Sequence, residues 1–232
     1  MITINGNAEL VKAADRGSGT KNDPYVIDGR AEAMEINDTD KHLVIRECVF
    51  TGQNNLCVNR ASNIEIVENA FSKNETSGVV VMKSSGMRII GNEVTENEGF
   101  GFYFNETNDI IVKGNEVREN QYSGIYILKG RENLIEGNGV SENKVRGIVA
   151  EGGGIIIEGN EVRENKDHGI VAEGVGNLVK GNEVDENEQR GIWLVGNENE
   201  VKANQVKKNG QDGIHILRGN ENEVKENEVK RN

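Results

Sequence analysis

Gly159-Asn160-Glu161-Val162-Arg163-Glu164-Asn165, followed by Gly169-Ile170-Val171-Ala172, is a unit that the whole chain repeats. Aligned on the first asparagine, the copies give the column Asn69, Asn92, Asn115, Asn138, Asn160, Asn182, Asn204 and Asn227, in steps of 23, 23, 23, 22, 22, 22 and 23 residues. A second asparagine column lies five residues further on: Asn74, Asn97, Asn120, Asn143, Asn165, Asn187, Asn209 and Asn232. A glycine column runs through Gly78, Gly101, Gly124, Gly147, Gly169, Gly191 and Gly213. Self-similarity at such a period marks a solenoid in which each repeat packs only on its neighbours.

The pattern inside one repeat decides the kind of solenoid. Its apolar columns, Val112, Val117, Ile125 and Ile127 in one copy and Ile157, Val162, Ile170 and Ala172 in another, form short period-two runs separated by turn residues. That period belongs to strands, and no helical stripe of period 3.6 accompanies it. Three short strands and three turns fit one repeat, each strand pairing in parallel with its counterpart about 4.8 Å away in the next. The expected fold is all-β: a single-domain right-handed parallel β-helix, with residues 1–30 as a cap and opening segment and residues 31–232 as the repeats.

At the corners the backbone leaves the sheet, left-handed angles favour Gly or Asn, and buried polar groups need partners. An asparagine amide both donates and accepts, so stacked copies can bond one another and the corner backbone. The two columns are therefore expected to be structural. Residues Ala8 to Ala14 read as a short amphipathic helix closing the first coil. In the irregular stretch from Arg30 to Gln53, Leu43, Ile45, Val49 and Phe50 are the expected inward residues.

The repeat N-x-[IV]-x-G-N-x-[IV]-x-x-N-x-x-x-G-I, together with the opening Gly17-Ser18-Gly19-Thr20-Lys21-Asn22-Asp23-Pro24-Tyr25-Val26-Ile27, resembles the right-handed parallel β-helix proteins of the NosD-like, carbohydrate-binding and sugar-hydrolase type. The resemblance covers nearly the whole chain. It implies an exported, extracellular or cell-surface protein, although this chain itself begins without a signal sequence. The family includes polysaccharide lyases, hydrolases, epimerases, copper-delivery proteins and surface modules, so the fold does not choose the function.

A formal net charge of -12 argues against nucleic acid as a partner, and no apolar run reaches the length of a membrane-spanning helix. Cys48 and Cys57 lie nine residues apart around a corner and are expected to stay unpaired. Gly17-Ser18-Gly19-Thr20 lacks the lysine and the helix of a phosphate loop. Cofactors are not expected. Soft-ligand metal sites lack clustered His, Met or Cys, and calcium on the glutamate columns (Glu93, Glu116, Glu161, Glu183 and Glu96, Glu119, Glu142, Glu164, Glu186) competes with their reading as a solubilising edge.

One outward face carries the candidate site. The strand after the column glycine places Val80, Tyr103, Tyr126, Val149, Val171, Trp193 and His215 outward, and just before that glycine stand Arg146, His168 and Arg190 in successive coils, with Glu151 and Glu173 at the strand's far end. Two arginines about 9 to 10 Å apart can hold carboxylates or sulfates, and Trp193 can stack on a sugar ring; the competing reading is a solvated face on which Arg146 and Arg190 pair with neighbouring Glu or Asp. The ligand-binding set is thus Arg146, His168, Arg190, Trp193, Tyr126, Tyr103 and His215, with an acidic polysaccharide as the expected partner. His168 and Glu173 are the catalytic candidates, as acid and base. The clustered aspartates of polygalacturonases and the D-P-H of alginate epimerases are absent. The leading expectation is a non-catalytic surface or scaffold module, and the alternative is a uronate lyase, hydrolase or epimerase.

On a third face strict alternation gives an outward aliphatic row, Ile111, Leu134, Ile156 and Leu178, while Asn133 and Asn177 beside it leave open a local bulge that turns the row inward. The final coil, Glu223 to Asn232, offers strand edges. Self-association is expected through one or the other, as a homodimer or by end-to-end stacking. Light scattering is expected to give about twice the monomer mass. Leu134→Glu with Ile156→Glu should dissociate a lateral pair and leave an end-stacked one intact, and a protein monomeric at high concentration overturns the expectation.

Overall fold

The computed structural model describes residues 1–232. Strands follow one another around a right-handed coil and build three parallel sheets of ten, ten and nine strands. The first sheet runs from Ile2–Asn5 to Ile214–Arg218, the second from Tyr25–Asp28 to Glu223–Lys225, and the third from Val49–Gly52 to Glu228–Lys230. Every pairing between these strands is parallel, as the three-strand repeat requires. The expected boundary at residue 30 does not exist in space. Ile2–Asn5 pairs with Met34–Asn37, and Tyr25–Asp28 with Leu43–Arg46, so the coil begins with the first strand of the chain.

Alternate residues of each strand fill the interior. Val94, Val117, Val140, Val162 and Val184 line it from the third sheet, Val112, Ile135, Ile157 and Val179 from the second, and Ile125, Ile148, Ile170 and Ile192 from the first. Each buried aliphatic side chain contributes about 1.5–3 kcal/mol on transfer from water. Near the N-terminus Phe50 and Phe71 stack at 4.7 Å, in adjacent coils. Helix α1, Asn7–Ala13, inserts Leu10 into this end of the core, in the place expected for a capping helix. Leu43, Ile45 and Phe50 are buried as expected, but Val49 is exposed, because alternation leaves only one of two neighbouring strand residues facing inward.

The asparagines form two full hydrogen-bonded ladders and a shorter third, Asn177, Asn199 and Asn222, at the corner between the first and second sheets. In the first, the backbone N–H and the Nδ2 of Asn138 both donate to Oδ1 of Asn160 at 2.9 Å, while Nδ2 also donates to the Val112 carbonyl. The second repeats the arrangement through Asn143, Asn165 and Asn187. Cys48 starts the first ladder in place of an asparagine: its N–H donates to Oδ1 of Asn69, and its Sγ accepts from Arg30 N–H. Cys48 and Cys57 are both free thiols.

Left-handed backbone falls on the residue before each ladder asparagine. At the first ladder this residue is mostly glycine, Gly91, Gly114, Gly137, Gly159 and Gly181, at φ 62–64°. At the second it is glutamate: Glu96, Glu119, Glu142, Glu164 and Glu186 take φ 54–58°. The expectation that such angles would need Gly or Asn is corrected at this corner. The side chain points outward, where those of Glu96, Glu119 and Glu186 pair with Lys73, Arg118 and Lys208, and the amide that follows holds the turn, so the roughly 1–2 kcal/mol cost of a left-handed L-residue is met by the ladder.

The glycine column has a different cause, since Gly147, Gly169 and Gly191 do not adopt positive φ. A Cβ on Gly169 would lie 2.5 Å from Val184 Cγ1 and 2.8 Å from both Asn187 Nδ2 and the Gly191 carbonyl oxygen. Glycine lets the chain cross the ladder and the core valine at once.

The change in coil length is local. Ile127 pairs with Ala150 but Gly130 with Gly152, a bulge that removes one residue, and a second bulge after Leu194 restores it. Both lie at the turn between the first and second sheets, away from the two full ladders.

Gly159→Ala, at φ 62° with open space around the new Cβ, is expected to cost about 1 kcal/mol. Gly169→Ala is expected to cost roughly 3 kcal/mol through overpacking. Urea unfolding midpoints measure the difference, and equal shifts would show that space does not set the glycine column.

Candidate functional site

The outer face of the first sheet places the predicted side chains in register. Tyr103 pairs with Tyr126, Tyr126 with Val149, Val149 with Val171, Val171 with Trp193, and Trp193 with His215. At about 4.8 Å per coil, Tyr126 and Trp193 stand about 14 Å apart along the axis, with two valines between them. Those valines point outward yet are 0% and 3% exposed, so they form a covered apolar floor.

At the corner that enters this sheet, Arg146, His168 and Arg190 stack in successive coils. Gly124, Gly147 and Gly169 donate their N–H groups to the three carbonyls, each at 3.0 Å. The row is not a free cationic strip. Arg146 Nε donates to Asp167 Oδ2 at 3.0 Å, and Arg190 Nε donates to Asp212 Oδ2 at 3.3 Å. Asp212 Oδ2 also lies 3.0 Å from His215 Nδ1. Both guanidinium groups reach over the Trp193 ring, with Cζ at 5.9 Å for Arg146 and 5.6 Å for Arg190. The His168 ring meets Trp193 edge-on at 4.6 Å.

His168 is only 6% exposed and its Nδ1 accepts the backbone N–H of Arg190 at 3.1 Å. Nδ1 therefore carries no proton, which leaves the proton on Nε2, 3.4 Å from Asp167 Oδ1. Burial pulls its pKa below the ordinary histidine value. Asp167 acts in the opposite direction, and the two arginines and His215 add to the lowering. The same corner is served elsewhere by serine: Ser77 Oγ accepts from Phe100 N–H and Ser123 Oγ from Arg146 N–H. His168 thus holds the corner as those serines do.

Glu173 stands five residues further along an extended strand, about 16 Å away, so His168 and Glu173 do not meet as an acid and base pair. Glu151 is its in-register neighbour and accepts the Tyr126 hydroxyl at 2.5 Å. Burial and this carboxylate push the Tyr126 phenol up to about 12, so it stays protonated and donates.

Sequence reasoning missed an aromatic cluster at the near end of this face. Phe100 lies 5.3 Å from Tyr103, 5.2 Å from Tyr122 and 5.1 Å from Tyr126, centroid to centroid. Tyr122 occupies the outermost corner position and is 52% exposed. The readable signal was that three of the four tyrosines fall within the two adjoining repeats. The pairing of both arginines with neighbouring acidic side chains, one of the two readings open in the sequence, is made through Asp167 and Asp212.

The other candidates lie elsewhere. Ile111, Leu134, Ile156 and Leu178 form an in-register row on the outside of the second sheet, where contact with one another leaves each half-buried. The glutamates Glu93, Glu161 and Glu183 face outward on the third sheet and are paired with Arg118, Arg163 and Lys207. No three His, Cys, Asp or Glu side chains converge as metal ligands. No helix is long and apolar enough to cross a membrane.

The model of the right-handed β-helix region matches residues 25–161 and 124–232. The chain belongs to the right-handed β-helix family. Among solved structures, a mutant of the periplasmic alginate epimerase AlgG matches with a TM-score of 0.74 at 15% identity, over 88% of this chain and 61% of that one. The chain thus spans about three fifths of the AlgG structure. The A-module of the Azotobacter vinelandii mannuronan C-5 epimerase AlgE6 matches at 0.66 and 14% identity, over 98% and 72%. Pectate lyase Pel9A matches at 0.61 and 13%, over 98% and 77%. At these identities the likeness is one of fold. No curated protein sequence matches the chain.

Because the folded state disfavours protonation of His168, its contribution to stability is present above about pH 6.5, the unfolded value, and is lost as pH falls from there towards the lower folded value. NMR titration is expected to find the imidazole neutral, with the proton on Nε2, through pH 6.5. Its pH-dependent loss of stability should disappear in His168→Gln. A titration midpoint above the ordinary value would contradict this role.

Proposed function

We propose that the outer face of the first sheet binds a polysaccharide chain lying along the coil axis, and that the protein is a non-catalytic extracellular or cell-surface module. The observation that carries the reading is the column of part-exposed rings Tyr103, Tyr126 and Trp193 on the outer face of the first sheet, with the exposed Tyr122 beside it and Val149 and Val171 buried between. Aromatic faces stack on the C–H faces of sugar rings, while polar side chains at the edges meet the hydroxyls. The fold likeness to an alginate epimerase and a pectate lyase supports a carbohydrate role.

The enzymatic alternative, a uronate lyase, hydrolase or epimerase, has one observation in its favour: the Tyr126 and Glu151 pair on the same face. A phenol held at about 12 suits hydrogen-bond donation better than proton abstraction near neutral pH, which favours the binding module.

Trp193 is the only tryptophan, so its fluorescence reports this face directly. A panel of soluble polysaccharides is expected to include at least one that shifts this emission. Trp193→Phe and Tyr126→Ala should weaken its binding roughly tenfold, each losing about 1.4 kcal/mol of ring contact. Binding should be followed by retention on immobilised polysaccharide, with Leu134→Ala on the second sheet unaffected. Saturable binding that ignores both aromatic substitutions would move the site elsewhere, and chain cleavage or unsaturated product abolished by Tyr126→Phe would establish the enzyme.

A further inference from the structure

The charges and hydrogen-bonding groups of this face select among polysaccharides, an inference that rests on the binding reading above. Its cations are Arg146, Arg190 and Arg218, the last in register with Val195, and its anions are Glu151, Asp167, Glu173 and Asp212. Three positive charges against four negative leave one negative charge in excess, on a protein of net charge -12. Two of the cations are already engaged by Asp167 and Asp212. A uronate or sulfate entering at Arg146 or Arg190 would have to break an existing ion pair, and at Arg218, which has none, it would stand two coils from Glu173 in the same column. Like charges at one or two coil spacings repel.

An unpaired carboxylate points the same way. Glu173 is exposed and has no partner, and a sugar hydroxyl supplies the donor that it lacks, which a carboxylate cannot. The exposed Tyr122 ring and the Phe100, Tyr103 and Tyr126 rings behind it offer a surface whose complement is an uncharged C–H face.

We infer that the ligand is a neutral polysaccharide, a chain of unsubstituted hexoses whose ring faces stack on the tyrosine cluster and Trp193 and whose hydroxyls donate to Glu173. The acidic polysaccharide expected from the Arg146, His168 and Arg190 row is disfavoured because that row carries its own counter-ions.

Soluble polyuronates and their carboxyl-reduced derivatives test this, since each pair shares linkage and ring stereochemistry and differs in charge. Binding is read by Trp193 fluorescence and by retention on the immobilised polymers at low salt. The expected result is binding of at least one reduced, neutral polymer at least tenfold tighter than its uronate parent, with little dependence on salt. Asp167→Asn with Asp212→Asn frees both arginines and should shift the preference towards the uronate. Tighter binding of the uronate by the unaltered protein, weakening as salt rises, would overturn the neutral assignment and leave the polysaccharide reading standing, and equal binding of both would do the same. Binding of no polymer in the panel, neutral or charged, would remove both readings.

Discussion

Each ladder asparagine spends its whole side-chain amide on the corner it occupies. Oδ1 of Asn160 takes two hydrogen bonds from Asn138, and its Nδ2 gives one to the Ile135 carbonyl and one to Oδ1 of Asn182. These are the groups a turn would otherwise bury without partners, at about 1–3 kcal/mol each. Meeting them between coils rather than within one fixes the axial spacing, and every face inherits that spacing. The straight rows of Tyr103, Tyr126 and Val149 or of Ile111, Leu134 and Ile156 exist because the corners do not drift.

Much of this was legible in the sequence because a solenoid writes its constraints as columns. Period-two valines gave the inward residues, and the two pure asparagine columns gave the corners. What was not legible has a common origin: it depends on where a side chain does not go. Glutamate at Glu142 or Glu164 carries no mark of a left-handed backbone, since its outward side chain meets nothing and the following asparagine does the bonding. The glycine column was visible as a column, but its cause, the crossing of Gly169 against Val184 and Asn187, needed coordinates. The first strand escaped because Ile2–Asn5 precedes the helix and lacks the repeat pattern, although it pairs like any other.

The site divides in the same manner. Alternation correctly put Arg146, His168, Arg190 and Trp193 on one surface. It could not say that Asp167, adjacent to His168, would turn to Arg146 in the coil before, or that the His168 imidazole would serve a backbone N–H in the coil after. Both relations join residues about one repeat apart, and a reading along the chain treats such residues as independent. Their effect is to convert an apparent anion-binding row into a self-neutralised scaffold around one indole.

The two bulges bear on how such a surface changes over generations. They flank the coils that carry Val149 and Val171, and they show that the turn leaving the first sheet can lose a residue and regain it while both full ladders continue unbroken. Insertions and deletions are therefore tolerated at the corner immediately beyond Glu151 and Glu173 along the strand, as they are near the N-terminus at the corner leaving the third sheet, where the register shifts between Thr51 and Gly52. A lineage that lengthened this turn would raise a parapet along one margin of the aromatic strip without renegotiating the interior. In this part of the coil the freedom to vary falls at the border of the aromatic face, where added chain changes the relief of the surface while the winding of the coil stays the same.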